Sequence, residues 1–200
     1  MRDSDSGKVV RCVVLDAMGV IFRAADDVAE LLVPFVSRAG GTTNATEVDA
    51  TYLSASLGSI CPDDFWRTVG LAPDVENQYL AQHELMPGVM PFLQAMQSQR
   101  MPVWCVSNDV GRWSSALRTR FDLDSLLAGA VISSEVRSRK PDPMIYGCLL
   151  EKCGYERREI LFVDDRDKNV AAAIDIGIPA VRFDPATGYA AITRLIGRSS

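Results

Sequence analysis

The stretch EILFVDDRDKNVAAAIDIG at residues 159–177 combines a short apolar run with a helical pattern. The run EILFVDD is nearly continuously apolar before its acidic pair, which is typical of a strand buried on both faces of a parallel sheet. Val170, Ala173 and Ile174 then recur at helical spacing. Gly177 is a typical helix stop. The stretch therefore predicts one strand–helix unit of an α/β protein.

Three more apolar runs and a weaker fourth occur elsewhere in the chain. They are VVRCVVLD (9–16), PVWCVSN (102–108), GAVISSE (129–135) and, more weakly, PAVRFD (179–184). From about residue 88 onwards, helical patterns separate the runs, and one of them, 141–153, has Pro141 at a position that suits the first residue of a helix. Strands alternating with helices predict a doubly wound, Rossmann-like parallel sheet with right-handed crossovers.

Residues 24–87 break this alternation, because they contain helical patterns and no convincing strand. The helix candidates are 26–38, 45–57 (with Asn44 and Glu47 as a capping pair), 62–69 and 74–85. A small helical insertion after the first strand is the simplest account. We therefore predict an α/β core domain of residues 1–23 and 88–200 and a helical cap of residues 24–87.

Composition and charge narrow the classes of function. Hydrophobic residues make up 48% of the 200 residues and charged residues 24%, as in soluble globular proteins. No apolar run approaches the ~18 residues of a membrane helix, and the N-terminus MRDSDSGK is polar, so we expect a cytoplasmic protein without membrane association. A net charge of −5 with scattered Lys and Arg argues against nucleic acid as a partner. The oligomeric state is left open.

We expect no catalytic, redox or metal-binding role for the cysteines or for the single histidine. None of the five cysteines forms a Cys-x-x-Cys pair, and Cys12 and Cys105 lie in apolar runs, where we expect buried packing. His83 has polar neighbours in a helical stretch, so we expect it on the surface. A catalytic triad centred on histidine is accordingly disfavoured.

Polar residues stand at the carboxyl ends of the predicted strands, where open parallel sheets bind ligands. These residues are Asp16, Ser107, Asn108, Asp164, Asp165 and, just past the third strand, Lys140. A carboxylate can attack phosphorus, and Mg²⁺ prefers hard oxygen ligands. A hydroxyl, an amide and an ammonium group can hold phosphoryl oxygens. The set is suited to phosphoryl transfer.

The strings VVLDAMGVIF, VWCVSND, SRKPDPMIY and FVDDRDKNVAAAIDIG resemble, in this order and spacing, the four motifs of the haloacid dehalogenase (HAD) superfamily. The motif-bearing region spans residues 9 to about 180. KPDPMIY followed by VDDRDKNV is similar to the subgroup with a small helical cap after the first motif. The resemblance implies the HAD fold and a Mg²⁺-dependent phosphatase-type hydrolase that acts on a small phosphorylated metabolite.

The resemblance also implies roles for individual residues. Asp16 would attack the phosphoryl group and form an aspartyl-phosphate that water hydrolyses, and Lys140 would be the second catalytic residue. The implied metal ligands are Asp16, the backbone carbonyl of Met18, Asp164 and Asp165. The implied substrate-binding residues are Ser107, Asn108 and Lys140.

Met18 departs from the family pattern. Phosphatases of this family usually carry a second Asp there, which protonates the leaving group and later activates water, and a thioether can do neither. General acid–base help is worth about 10²–10⁴-fold. Three explanations compete: substrates with good leaving groups, another acid such as Asp109, or a site that has lost hydrolysis and kept binding.

Two alternative functions therefore stay open beside the phosphatase. A 2-haloacid dehalogenase also has a non-acidic residue at position 18, but it works without Mg²⁺ and lacks the acidic pair of Asp164 and Asp165. Those two carboxylates and Asp16 would repel strongly without a cation, which favours the phosphatase. The other alternative is a catalytically impaired HAD protein with a binding role. Substrate identity is left open, as is which member of the acidic pair binds metal directly.

Overall fold

The computed structural model describes residues 10–197 as a parallel sheet with helices on both faces. The strands are β1 (Cys12–Leu15), β2 (Val103–Ser107), β3 (Gly129–Ile132), β4 (Ile160–Asp164) and β5 (Ala180–Arg182). They are arranged in the order β3-β2-β1-β4-β5, and every pairing is parallel. The predicted doubly wound α/β fold is confirmed. Val9, the polar N-terminal stretch and the last three residues of the predicted core domain lie outside the described residues.

The helices that connect the strands follow the predicted alternation. Those of the described part are α1 (Val33–Arg38), α2 (Ala45–Ser56), α3 (Pro62–Thr68), α4 (Glu76–Leu80), α5 (Val89–Ser98), α6 (Gly111–Arg120), α7 (Ser133–Val136), α8 (Pro143–Cys153), α9 (Asp167–Asp175) and α10 (Tyr189–Gly197). A π-helix (Val28–Leu32) precedes α1, and 3₁₀ turns occur at Pro73–Val75, Leu123–Ser125 and Arg157–Glu159. Between residues 10 and 197, none of these helices combines the length and apolarity needed to cross a bilayer.

Alternate side chains of β1 point to the two faces of the sheet, and both faces are covered. Val13 and Leu15 belong to the hydrophobic cluster that includes side chains of α5, α6 and α10. Cys12 and Val14 belong to a second cluster with side chains of α8 and α9. The apolar run of β1 is continuous because both of its faces are buried. Cys12 and Cys105 are free and buried, as predicted.

The strand order brings the candidate site residues to one edge of the sheet. The chain passes from β1 to β2 and β3 on one side, and then crosses to β4 and β5 on the other. The crevice beyond the carboxyl ends of the strands, where the order reverses, is where such sheets bind ligands. Asp16 directly follows β1, and Ser107 and Asp164 end β2 and β4, so the topology places them side by side.

The helical insert packs directly against the sheet domain through aromatic side chains. The ring centroids of Trp66 on α3 and Trp113 on α6 lie 5.3 Å apart, and both side chains are buried. Their indole N–H groups donate to the same carboxylate oxygen of Glu76, at 3.0 and 2.6 Å. Insert and sheet domain thus share one continuous hydrophobic cluster. The division into a core and a cap at residues 24–87 stays a prediction.

Capping explains where two helices begin, and one prediction about them is wrong. Asn44 accepts hydrogen bonds from the backbone N–H groups of Thr46 and Glu47, which starts α2 as predicted. We predicted Pro141 as the first residue of the helix over 141–153. That helix, α8, instead begins at Pro143, because the Asp142 side chain accepts the Met144 N–H at 2.8 Å and so caps it.

Other element predictions also need correction. The last three residues of GAVISSE belong to α7 rather than to a strand. The apolar face predicted for α9 is narrower than expected, since Ala173 is buried but Ile174 is 53% exposed. The helix predicted over 74–85 is a 3₁₀ turn followed by α4, which ends at Leu80.

His83 is buried, so its predicted surface position is wrong. Its exposure is 2%, and its ring lies edge-on to those of Phe22 and Tyr79, with centroids 6.1 and 5.1 Å away. Because α4 stops at Leu80, the chain turns and residue 83 faces inward rather than continuing along a helix surface. Burial lowers the pKa of His83 to about 4, so the ring is neutral at pH 7.

The packing of α8 generates a stability prediction. Leu149→Ala should lower the free energy of unfolding by about 2–5 kcal/mol, because Leu149 is fully buried against the sheet and its truncation leaves a cavity. Met144→Ala on the same helix is the control. Met144 is 59% exposed, so its loss should change stability by no more than about 0.5 kcal/mol. Urea denaturation measures both, and equal losses would contradict the assigned packing.

Candidate active site

A buried ammonium group joins the ends of two central strands. Lys140 Nζ lies 2.5 Å from Asp16 Oδ1 and 2.8 Å from Asp164 Oδ2, and it donates to the backbone carbonyl of Val106 at 2.7 Å. Its side chain is 1% exposed, and those of Asp16 and Asp164 are 8% and 0% exposed. Three acceptors therefore satisfy the three donors of the ammonium group. This ion-pair triad fixes Asp16 and Asp164 relative to each other.

Backbone and amide groups orient the two carboxylates further. Asp16 Oδ1 accepts the Ala17 N–H at 2.7 Å. Asp164 Oδ1 accepts the Arg166 N–H at 2.9 Å, and the Asn169 amide donates to both oxygens of Asp164 at 3.0 and 3.1 Å. Asn169 is 1% exposed, on the first turn of α9. Asn169 was not predicted as a site residue, because only the apolar spacing of this helix was read from the sequence.

Charge and burial compete at the triad. Burial raises the pKa of Asp16 to about 7, with Lys140 opposing the rise and Asp164 adding to it. Burial alone would lower the pKa of Lys140, but Asp16 and Asp164 outweigh it and raise that pKa above its ordinary value. Lys140 is therefore a permanent cation at physiological pH.

Asp165 adds a third carboxylate to the same place. Oxygens of Asp16, Asp164 and Asp165 lie within 4.8 Å of one another. Burial, followed by the charge of Asp164, raises the pKa of Asp165, and its buried Oδ1 has no partner among residues 10–197. Gly19, at φ +80°, passes so close that a side chain there would collide with Asp165.

These carboxylates suit a hard divalent cation. Lys140 already supplies one positive charge between Asp16 and Asp164, so the repulsion expected from the sequence is partly relieved within the protein. Asp165 Oδ1, however, is a buried acceptor without a donor in the described part of the chain, and such an oxygen calls for a cation or a proton. Three hard oxygen ligands at this spacing fit Mg²⁺.

Ser107 and Asn108 line the same cleft but differ in whether their side chains are free to bind a ligand. Ser107 is 1% exposed, and its hydroxyl oxygen has no partner in the described residues. The Asn108 amide is occupied, since its oxygen accepts the Lys140 N–H at 2.7 Å and its nitrogen donates to the Lys140 carbonyl at 2.9 Å. Ser107 is thus free for a ligand, whereas Asn108 holds the loop that delivers Lys140.

The cleft over these groups has a volume of about 250 Å³. Its walls include Asp16, Met18, Ser107, Lys140 and, from the helical insert, Asp27. Met18 is 7% exposed and offers the cleft no acid.

Asp109 and Asp27 differ in their relation to the cleft. Asp109, the substitute acid considered from the sequence, is buried but does not line it, and its carboxylate accepts the Val110 N–H at 2.6 Å. Asp27 does line the cleft, although the sequence pattern placed it only within the helix predicted over 26–38.

The chain belongs to the haloacid dehalogenase-like hydrolase family, since the model of that family matches residues 10–177. Its curated relatives include flavin mononucleotide hydrolase 1 of Arabidopsis thaliana, 27% identical over 108 residues that cover 54% of this chain and 44% of that protein. Phosphoglycolate phosphatase of Rhodospirillum rubrum is 28% identical over 159 residues, which cover 80% of this chain and 61% of that enzyme. The matches thus span about half of the length of these relatives.

Solved structures share the fold at low sequence identity. A HAD family enzyme of Bacteroides thetaiotaomicron has a TM-score of 0.77 at 17% identity, covering 93% of this chain and 99% of that one. L-2-haloacid dehalogenase of Xanthobacter autotrophicus has a TM-score of 0.62 at 21% identity, covering 87% and 77%. These structures show the shared fold, and the match of the family model confirms the sequence resemblance to the HAD superfamily.

The triad predicts a pH-dependent stability defect. Lys140→Met should cost about 3–5 kcal/mol of unfolding free energy at pH 8 in chelator, because it leaves buried carboxylates without their cation. Lys140 opposes the rise in the pKa of Asp16, so its removal raises that pKa further, and the variant loses stability relative to the unchanged protein as pH rises from about 7. The loss should therefore be smaller at pH 5.

Lys168→Met is the matched control, since Lys168 is an exposed lysine of the same cleft. Its stability should stay within about 0.5 kcal/mol of the unchanged protein at both pH values. Urea denaturation of both variants gives the comparison. A Lys140→Met defect that does not grow between pH 5 and pH 8 would contradict the electrostatic account.

Proposed function

We propose that this protein is a Mg²⁺-dependent phosphatase-type hydrolase that works through an aspartyl-phosphate on Asp16. The observation that carries the proposal is the triad of Lys140, Asp16 and Asp164, of which Lys140 and Asp16 line one cleft with the unpartnered Ser107 hydroxyl. Asp165, with its unpartnered oxygen, lies beside Asp16 and Asp164. A nucleophile, a phosphate-binding cation and a hydroxyl donor thus meet at one edge of the sheet.

The hydrogen bonds of Asp16 support different tasks for its two carboxylate oxygens. The hydrogen bonds that Asp16 receives within residues 10–197 go to Oδ1, from Ala17 and Lys140. Oδ2 is therefore the oxygen that attacks phosphorus, while the bond from phosphorus to the leaving oxygen breaks. The Ser107 hydroxyl donates to the phosphoryl oxygens as charge builds on them. The donors of the Lys140 ammonium group are taken by Asp16, Asp164 and Val106, so Lys140 stabilises this charge through its own positive charge. Water then hydrolyses the aspartyl-phosphate and releases phosphate.

Asp16, Asp164, Asp165 and the backbone carbonyl of Met18 would hold Mg²⁺. When bound, the ion supplies positive charge to the phosphoryl group and helps to orient it. The Bacteroides thetaiotaomicron enzyme with the same fold has been crystallised with magnesium and inorganic phosphate, which supports the proposal. The cluster of three carboxylates with an unpartnered Asp165 oxygen supports it from this chain's own residues.

The substrate class follows from the size and lining of the cleft. A volume of about 250 Å³ suits a small phosphorylated metabolite. Arg139, Arg166 and Lys168 contribute positive charge around it. The curated relatives are phosphatases and a flavin mononucleotide hydrolase, but this chain spans only part of them, so none of their substrates is assigned. A cytoplasmic location is part of the proposal and rests on sequence composition alone.

The first test compares two asparagine variants in a phosphate-release assay with Mg²⁺. Asp16→Asn should lower turnover of small phosphate esters by at least about 10³-fold, because it removes the nucleophile. Asp175→Asn, which changes an exposed carboxylate at the end of α9, should leave the rate unchanged. Chelator should abolish the activity of the unchanged protein.

The same assay includes a 2-haloacid with halide detection. Halide release that survives chelator would replace the phosphatase by a dehalogenase. Tight binding of a phosphate analogue and Mg²⁺ without turnover of any substrate would instead indicate a binding protein. Phosphate release that persists in Asp16→Asn would contradict the proposed nucleophile.

A further inference from the structure

Asp27 is a buried carboxyl group at the start of the helical insert, directly before the π-helix. It is 5% exposed and lines the same cleft as Asp16 and Met18. Its Oδ2 is shielded from solvent and has no hydrogen-bond partner in the described part of the chain. An unpartnered buried carboxyl oxygen is costly, and in a native protein it usually serves a function.

The surroundings of Asp27 set its affinity for a proton. The titratable and charged groups that face it are Asp26, Tyr52, Tyr79, Asp109, Arg139 and Arg166. Burial, followed by the charge of Asp26, raises the pKa of Asp27 to about 6, while the two arginines oppose the rise. A carboxyl group of this kind can give up and regain a proton near neutral pH, as acid–base catalysis requires.

Both arginines are held by other groups, so neither forms a hydrogen-bonded ion pair with Asp27. Arg139 contacts the Ser56 hydroxyl and lies over the Tyr52 ring, with its guanidinium carbon 5.6 Å from the ring centroid. Arg166 donates to the Ala25 carbonyl at 3.0 Å. Asp27 therefore stays available to a ligand in the cleft.

We propose that Asp27 is the general acid and base of the reaction, in the role that Met18 cannot perform; this inference rests on the proposed function. As Asp16 Oδ2 attacks phosphorus, the bond from phosphorus to the leaving oxygen breaks, and the proton of Asp27 passes to that oxygen. Water then attacks the phosphorus of the aspartyl-phosphate, and the Asp27 carboxylate takes its proton. The bond from phosphorus to Asp16 breaks, and phosphate leaves.

The leaving group provides the test, because only a poor leaving group needs a proton. With Mg²⁺, Asp27→Asn should lower kcat/KM for an alkyl phosphate such as glycerol phosphate by about 10²–10⁴-fold. For p-nitrophenyl phosphate, whose phenolate leaves unaided, kcat/KM should change by less than about tenfold. The variant also lacks the base for the second step, so kcat on this ester should fall and a burst of about one nitrophenol per chain should appear.

Two further variants separate a catalytic from a structural role. Asp109→Asn removes a second buried carboxylate that lies outside the cleft lining, so it should not discriminate between the two esters. Asp27→Ala should regain part of its alkyl phosphatase activity when formate is added, since a small acid can occupy the vacated space. Equal losses on both esters for Asp27→Asn, without rescue of Asp27→Ala by formate, would overturn the proposal.

The outcomes also separate this inference from the function on which it rests. If the unchanged protein hydrolyses both esters, Asp16→Asn abolishes both activities and Asp27→Asn spares both, the proposed function stands and the role of Asp27 is wrong. If Asp109→Asn shows the leaving-group dependence instead, Asp109 is the acid. If the unchanged protein hydrolyses neither ester, the proposed function and this inference fail together.

Discussion

The contact of Lys140 with Asp16 and Asp164 is the constraint on which the site depends. These three residues come from the segment before α8 and from the ends of β1 and β4, and their distances of 2.5 and 2.8 Å hold the strand ends together. Two buried carboxylates so close would otherwise repel each other strongly. The positive charge of the ammonium group thus allows several carboxylates to lie close together at this edge of the sheet.

The arrangement also explains how the proposed nucleophile, Asp16, can be kept in a buried position. Lys140 and Ala17 both donate hydrogen bonds to Oδ1 of Asp16, which leaves Oδ2 available for the proposed attack on phosphorus. The Asn108 side chain hydrogen-bonds both the backbone N–H and the backbone carbonyl of Lys140. The Asn169 amide donates to the carboxylate of Asp164 and so holds it in place. Such supporting contacts keep the reacting groups in place without reorganisation when charge develops. Residues of the helical insert also line the cleft, and Asp27 is one of them.

The sequence predicted the sheet well and the site in part, for physical reasons. Strands buried on both faces leave continuous apolar runs, and topology alone carries Asp16 and Asp164 to neighbouring positions. His83 could not be placed from its polar neighbours, because its burial depends on where α4 ends and on rings distant in sequence. Asp27 had no local signal either, since an acidic residue before a helix is usually a surface feature. Its role rests on contacts that exist only in the folded chain.

The central claim is that Asp16 carries a covalent phosphoryl group during turnover. Rapid acid quenching of the protein with Mg²⁺ and p-nitrophenyl phosphate, followed by mass spectrometry of its peptides, measures this directly. The account predicts one added phosphoryl group on the peptide that contains Asp16 and none in Asp16→Asn. A phosphoryl group on another residue, or turnover without any covalent adduct on a protein that hydrolyses the ester, would contradict it.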